Sequence, residues 1–399
     1  MDISALHVLA PLFWRAPSAH NTQPWRLDYR DEEVHVGWDH ADTLPAADPT
    51  GRDLRLSLGA FVETCLIVAA DLGLPIEYVP DHCVEDRRVG WLRLSPHGYR
   101  SPFTAAQVQG RRTHRGRFSA GPDADTVAAL DAVARQAGGE VRVVPDRDRL
   151  AGLLTTADRH LYAEPAVVRE LRGWLRLTPA HPRYPADGLT DRCLELSPVE
   201  ATGLRAALAA YPVLRPLGLP RLLAAAAGDP LALGGTVIVL VGPAGLDDAA
   251  QVEFGRVLMR TWLTLHAAGL AAHPLSQLID APATRAALGS ALDGRRSGCC
   301  TSPGWAGRSA RRPARRAGSA APAMPARDQH GAAADPAGPI EVDRFRTVEL
   351  PTAPSLLSDA LHRTVISSRP PAGIAHPTEG GSTPGGCSTV EGEWGSMCR

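Results

Sequence analysis

The sequence predicts an α+β chain of two halves that echo each other, with central antiparallel-type sheets flanked by helices, a helical insertion in the second half and a structureless C-terminal tail. Three observations predict this. Gly59 opens GAFVETCLIVAADLGL and Gly255 opens GRVLMRTWLTLHAAGL, and each segment reaches a Gly-Leu pair fourteen residues after its first glycine. Short alternating or β-branched runs accompany both segments. The composition changes abruptly after Asp293.

In chain order, Trp25–Tyr29 and residues 34–38 alternate apolar with polar positions across a short charged connection, the pattern of a hairpin or two adjacent strands. From residue 58 to 72, Leu58, Phe61, Val62, Cys65, Leu66 and Ala69 recur at helical spacing, and Gly73 supplies a left-handed stop ahead of Pro75. Further short strands are expected at residues 91–94 and at Glu140–Val144. Residues 236–241 (TVIVLV) are continuously apolar and rich in β-branched side chains, as in a mid-sheet strand buried on both faces. Residues 150–229 read as helices broken by TPAHPRYPADG and YPVLRPLGLP. Nothing in the first half corresponds to them, so they are expected to form a cover or lid. The plan is a first half over residues 1–100, a second over 101–293 that carries the lid, and a tail over 294–399.

The tail is a different kind of sequence. Residues 294–327 hold eight arginines and no Asp or Glu, and beyond them only 342–348 and 355–366 show short periodic stretches. Largely disordered chain is expected. A frameshift would account for the break. Cys299-Cys300-Thr301 must be encoded by TGY-TGY-ACN, and reading from the third base gives leucine followed by tyrosine or histidine, so another frame is apolar there.

With 399 residues, 44% of them hydrophobic, the chain can bury a large core. A formal net charge of −1 gives no global attraction to nucleic acid or an anionic membrane, which makes a small molecule the default partner. All 42 basic residues are arginine. No run is long enough for a membrane span, and the first twelve residues lack the features of a signal peptide, so a cytoplasmic location is expected. The seven cysteines and fourteen histidines form no metal-ligand spacing, and no metal site is expected. Gly242-Pro243-Ala244-Gly245 lacks the spacing of a dinucleotide fingerprint. The arginine-rich stretch lacks aromatic interleaving, so no nucleic-acid partner is expected.

The most informative stretch is RAPSAHNTQPW, residues 15–25, where a small-residue turn presents a hydroxyl, two carboxamides and an aromatic. A flavin ring needs hydrogen-bond partners along its pyrimidine edge and close backbone approach, and Pro17, Ser18, Asn21 and Gln23 supply such groups. The alternative is a capped turn entering a strand, with Ser18 and Asn21 satisfying backbone. Arg111-Arg112-Thr113-His114-Arg115, read alone, is an exposed basic helix start.

These segments together resemble the nitroreductase family. RAPSAHNTQPW is similar to its A-P-S-x-x-N-x-Q-P-W element, GLAAHPLSQLID to the G-L-x-x-x-P-I-x-G segment after its long central helix, and residues 111–115 to its R-x-S-x-R/K phosphate element, with Thr113 in the place of serine. The turn here precedes the phosphate element, an order that resembles the single-chain Acg-like branch over roughly residues 5–293, in which one polypeptide imitates a homodimer.

The resemblance implies FMN as cofactor. Arg111, Thr113 and Arg115 would meet its phosphate, ribityl chain or N1/O2 edge, with Arg112 adding a contact. Pro17, Ser18 and Asn21 would face the ring, and Ser276 and Gln277 its N5 side. It further implies NAD(P)H as donor, a nitroaromatic, quinone or similar acceptor, flavin N5 in place of a catalytic side chain, one complete site per chain and a monomer. The family's closing strand and basic segment are replaced here by the tail. Two other readings stay open: an FMN storage protein whose lid excludes the nicotinamide, and a damaged product that binds nothing.

Overall fold

The computed structural model describes residues 3–115, 118, 121–226 and 235–297, together with two short strands further on. Helix α1 (Leu6–Phe13) leads through a single 3-10 turn at Ala19–Asn21 into the hairpin of β1 (Trp25–Tyr29) and β2 (Glu33–Trp38), in which Trp25 faces Trp38. Helix α2 (Arg52–Asp71) is followed by β3 (Ile76–Cys83) and β4 (Arg88–Leu94), completing an antiparallel sheet in the order β1-β2-β4-β3. Helix α3 (Ala105–Gly110) starts on a reciprocal Thr104/Gln107 cap and ends where Arg111 turns extended.

The second half opens with α4 (Ala124–Arg135) and β5 (Glu140–Val144). Then come α5 (Arg147–Ala163), α6 (Pro165–Trp174), the short parallel pair β6 (Leu175–Arg176) and β7 (Leu189–Thr190), α7 (Pro198–Leu214) and α8 (Leu219–Ala226). The chain continues through β8 (Val237–Val241), α9 (Asp248–Ala267), β9 (Leu270–Ala271), α10 (Gln277–Asp280) and α11 (Pro282–Ser297). Strand β8 lies between β5 and β10 (Arg346–Val348), antiparallel to both, and β9 pairs with β11 (Ser367–Ser368). The architecture is thus mixed helix and sheet, with antiparallel sheets in both parts of the chain.

The expected hairpin forms, and all five residues of β8 are buried between neighbours. Strand β3 was not expected. Pro80 and its charged neighbours break the alternation of a strand, yet β3 is a sheet edge, where a missing N–H is tolerated, and the register slips between Pro80 and Cys83. Helix α2 starts at Arg52, earlier than the apolar spacing indicated, because its first turn is buried through ion pairs. Helix α11 runs to Ser297, past the compositional break. Apart from β10 and β11, the tail and the frameshift reading lie outside the described residues.

Three cores result. The first gathers α1, α2 and the four-stranded sheet, and takes in Val252, Met259 and Leu263 of α9. The second surrounds β8 and α9 and takes in Leu56 of α2. The expected lid has a core of its own, centred on Leu171, Leu204, Leu208 and Tyr211. The first two merge because α2 and α9 touch backbone to backbone. A Cβ on Gly59 would lie 2.8 Å from the Cα of Gly255, closer than real side chains come.

Candidate functional site

A cavity of about 660 Å³ opens where the turn after α1, the segment after α3, the lid and the start of α10 converge. Its volume suits a ligand of cofactor size. Pro17, Ser18, Asn21, Arg111, Arg112, Thr113, Arg115 and Ser276 all line it, although they are separated by up to 259 residues (276 − 17) in the chain. Gln23 and Gln277 are not among the lining residues.

The turn is an unusual piece of backbone. His20, Asn21 and Gln23 have φ of 52°, 53° and 52°, a left-handed conformation that non-glycine residues avoid. Hydrogen bonds hold it there. The Gln23 N–H donates to Ser18 Oγ (3.0 Å), and Gln23 Nε2 donates to Asn21 Oδ1 (3.3 Å) and to the carbonyl of Ala186 (3.0 Å). Asn21 Nδ2 donates to the carbonyl of Gly188 (3.2 Å), and the Gly188 N–H donates back to the carbonyl of Asn21 (3.0 Å). The carboxamides of Asn21 and Gln23 therefore bind the lid. Gly188 accepts this contact because its φ is +75° and a Cβ would strike the Trp174 carbonyl at 2.4 Å.

The basic segment is fixed from the other side. Thr113 forms a β-bridge to Ala272, and the His114 N–H donates to the Ala272 carbonyl (3.1 Å), so the segment lies along the chain that follows α9. Arg115 reaches the lid: Nη1 donates to the Cys193 carbonyl (2.7 Å) and its N–H to Glu195 (3.2 Å). The Arg111 guanidinium sits 5.1 Å from the centre of the Trp262 ring, and its Nη2 donates to the Arg15 carbonyl (3.1 Å).

Arg111 is half-buried in the cavity wall, and no carboxylate among the described residues pairs with it. Burial, together with the neighbouring Arg15, pushes its pKa down to about 10. Its Nε is buried without an acceptor, as is Nε of Arg115. Gln277 is fully buried, and neither atom of its carboxamide has a partner among the described residues. Orphaned groups of this kind cost about 1–3 kcal/mol each, and the guanidinium charges of Arg111, Arg112 and Arg115 along the wall favour an anionic occupant.

The wall also contains groups that sequence reasoning did not select. Arg15 and Asp280 stood at the ends of the quoted motifs RAPSAHNTQPW and GLAAHPLSQLID, so a signal for them existed. Asp48 and Asp53 sit in ADPTGRD, which carried none. Arg52 Nη2 donates to Asp53 (3.0 Å) and Asp280 (2.5 Å), joining the start of α2 to the end of α10. The lid contributes Leu161, Tyr162, Val168 and Leu171 as an apolar lining. Glu170 ties the lid down, accepting from the backbone N–H groups of Ala46 (2.9 Å) and Ala47 (2.8 Å).

Among the described residues no helix is long and apolar enough to cross a membrane, and no group of three or more His, Cys, Asp or Glu is placed to hold a metal ion. No family model matches the chain. It is 30% identical over 180 residues to the putative NAD(P)H nitroreductase Rv3131 of Mycobacterium tuberculosis, an alignment covering 43% of this chain and 52% of that protein. It is 32% identical over 120 residues to the putative NAD(P)H nitroreductase acg of the same organism, covering 28% of this chain and 35% of that protein. The chain thus spans about half the length, or less, of these curated relatives.

Proposed function

We propose that this chain is an FMN-dependent NAD(P)H oxidoreductase of the nitroreductase type, built as a single-chain imitation of a dimer. The observation that carries the reading is Arg111, a half-buried cation beside a second arginine, facing a cavity of cofactor size without a carboxylate partner. A phosphate at that end would satisfy both charge and hydrogen bonding. The names of the M. tuberculosis relatives agree with this reading.

In this proposal Arg111, Arg112, Thr113 and Arg115 hold the phosphate, ribityl chain and N1/O2 edge. Pro17, Ser18 and Asn21 approach the ring through the backbone of the strained turn, while Ser276 meets its N5 side and the buried Gln277 behind it makes no contact. Gln23 acts as a brace and not as a contact. FMN would supply the N5 atom that takes hydride from a nicotinamide and passes electrons to a nitroaromatic, quinone or similar acceptor. The protein's share is placement, exclusion of water by the lid, and positive charge near the flavin's pyrimidine edge. The reciprocal fit of Gly59 and Gly255 supports the imitation of a dimer, since a two-fold relation between the halves would bring those equivalent glycines together.

The test is the visible spectrum of the purified protein, followed by anaerobic addition of NADPH and NADH. A flavin spectrum that bleaches supports the proposal; a protein that takes up no FMN overturns it. Storage of FMN without turnover is the second reading. It is favoured by the number of ties that close the lid, Glu170 to Ala46 and Ala47 and Asn21 to Gly188 among them. A flavin spectrum that neither nicotinamide bleaches would select it.

A further inference from the structure

Asp48, Asp53 and Asp280 bring three carboxylates to one wall of the cavity, where Arg52 pairs with Asp53 and Asp280 while Asp48 lies in the field of Arg52 and Arg55. Arg52 is fully engaged. Its Nε and Nη2 both donate to Asp53 Oδ1 (3.1 and 3.0 Å), and Nη2 also reaches Asp280 Oδ1 (2.5 Å). The next cation, Arg55, is drawn away to Gln251 (2.9 Å) and Asp248 (3.2 Å). Asp48 uses both oxygens locally, Oδ2 accepting from the Leu54 N–H (2.9 Å) and Oδ1 from Thr50 Oγ1 (3.3 Å). Asp280 Oδ2 makes no hydrogen bond among the described residues.

Three carboxylates crowded at the Arg52 end, with Arg55 turned toward Gln251 and Asp248, concentrate negative charge on one wall of a site whose other groups call for an anion. A proton is the simplest way to balance it, because neutralising a carboxyl avoids the cost of burying an unpaired charge. We propose that Asp280, holding a proton shared with Asp48 and Asp53 around Arg52, is the acid that protonates the electron acceptor in this cavity. The proposal rests on the oxidoreductase reading above. Burial raises the Asp280 pKa to about 7, with Asp53 and Asp48 adding to the rise and Arg52 opposing it. Asp48 is raised to about 6, again chiefly by burial and then by Asp53. The groups facing Asp280 are Arg52 and Asp53 at the start of α2 and Asp48 in the loop before it.

The balance for a quinone acceptor is complete with the nicotinamide as reductant. The nicotinamide would supply hydride, two electrons and one proton, which bound flavin would relay to the quinone. The second proton comes from Asp280: its O–H bond breaks, the electron pair stays on the carboxylate, and a new O–H bond forms on the quinone oxygen. The carboxylate then regains a proton from water, and hydroquinone leaves.

Two measurements test this. The first is infrared titration of the resting protein between pH 5 and 9, comparing the wild type with Asp280→Asn and Asp48→Asn. A carboxylic-acid band that titrates near neutral pH and is removed or displaced in Asp280→Asn supports the shared proton; its absence from the wild type overturns it. The second is stopped-flow reoxidation of the reduced protein by a simple benzoquinone. Loss of a general acid slows proton transfer on the order of 100-fold, so the ratio of reoxidation to reduction rate should fall by that amount in Asp280→Asn and recover in part in Asp280→Glu. The wild-type rate should decline as pH rises through 7, and the Asp280→Asn rate should not. Unchanged reoxidation and pH profile in both Asn variants would overturn the delivery role. A chain that takes up no flavin fails the parent reading, and the delivery step with it, while the infrared result is still read on its own.

Discussion

Gly59 and Gly255 stand in each other's side-chain space where α2 and α9 cross. A Cβ on Gly59 would lie 1.9 Å from the carbonyl oxygen of Val252, and a Cβ on Gly255 would lie 2.3 Å from that of Leu56. The clash partner is the residue three positions earlier on the opposite helix in both cases. The contact is reciprocal, and it joins the first glycines of the two similar segments GAFVETCLIVAADLGL and GRVLMRTWLTLHAAGL.

The first prediction follows from that contact. Gly to Ala inside a helix ordinarily gains about 1 kcal/mol. At Gly59 or Gly255 the added methyl meets rigid backbone, and the net effect should be a loss of about 1–3 kcal/mol. Gly152, inside α5 with nothing within 4 Å of its Cβ position, is the control. Gly152→Ala should raise the urea midpoint while Gly59→Ala lowers it.

Arg111 separates ligand binding from stability. In the flavin-free protein it is a half-buried cation beside another cation, so Arg111→Met should leave the melting temperature unchanged or raise it. On the function proposed above, FMN affinity should fall about 10- to 100-fold, the worth of a charge-assisted hydrogen bond. Fluorescence titration with FMN beside thermal melts of the flavin-free proteins checks both halves of the statement.

The lid ties give a dynamic prediction. Glu170→Ala removes the acceptor for the Ala46 and Ala47 N–H groups and should loosen the lid, at a cost of about 1–2 kcal/mol to local closure. Hydrogen exchange should accelerate at residues 46–47 and 186–190 with little change in the interior of α2. On the storage reading the same variant should also gain reduction by NADPH.

Asp280 predicts a pH dependence of stability. Its pKa is about 7 in the folded chain, against about 4 for an aspartate in an unfolded chain. A raised carboxyl pKa favours the fold fully below about pH 4, and that contribution is lost as pH climbs through 7. The stability of the wild type minus that of Asp280→Asn should therefore fall between pH 4 and pH 7 and level off above. Denaturant midpoints of the two proteins measured across that range check the sign.

The sequence by itself determined the elements whose residues carry their own reasons. The hairpin alternates because one face is covered, β8 is apolar throughout because both its faces are covered, and each of the two long helices carries a glycine where the other passes. It also supplied eight of the lining residues, through short motifs and their resemblance to those of the nitroreductase family. Tertiary structure alone decided the rest. It turned the carboxamides of Asn21 and Gln23 toward the lid, started α2 six residues early by burying Arg52 and Asp53, and gathered Asp48, Asp53 and Asp280 around one arginine. Such pairings join groups up to hundreds of residues apart. No local pattern encodes them, because the strength of a charge contact is set by distance and burial in space and not by position along the chain.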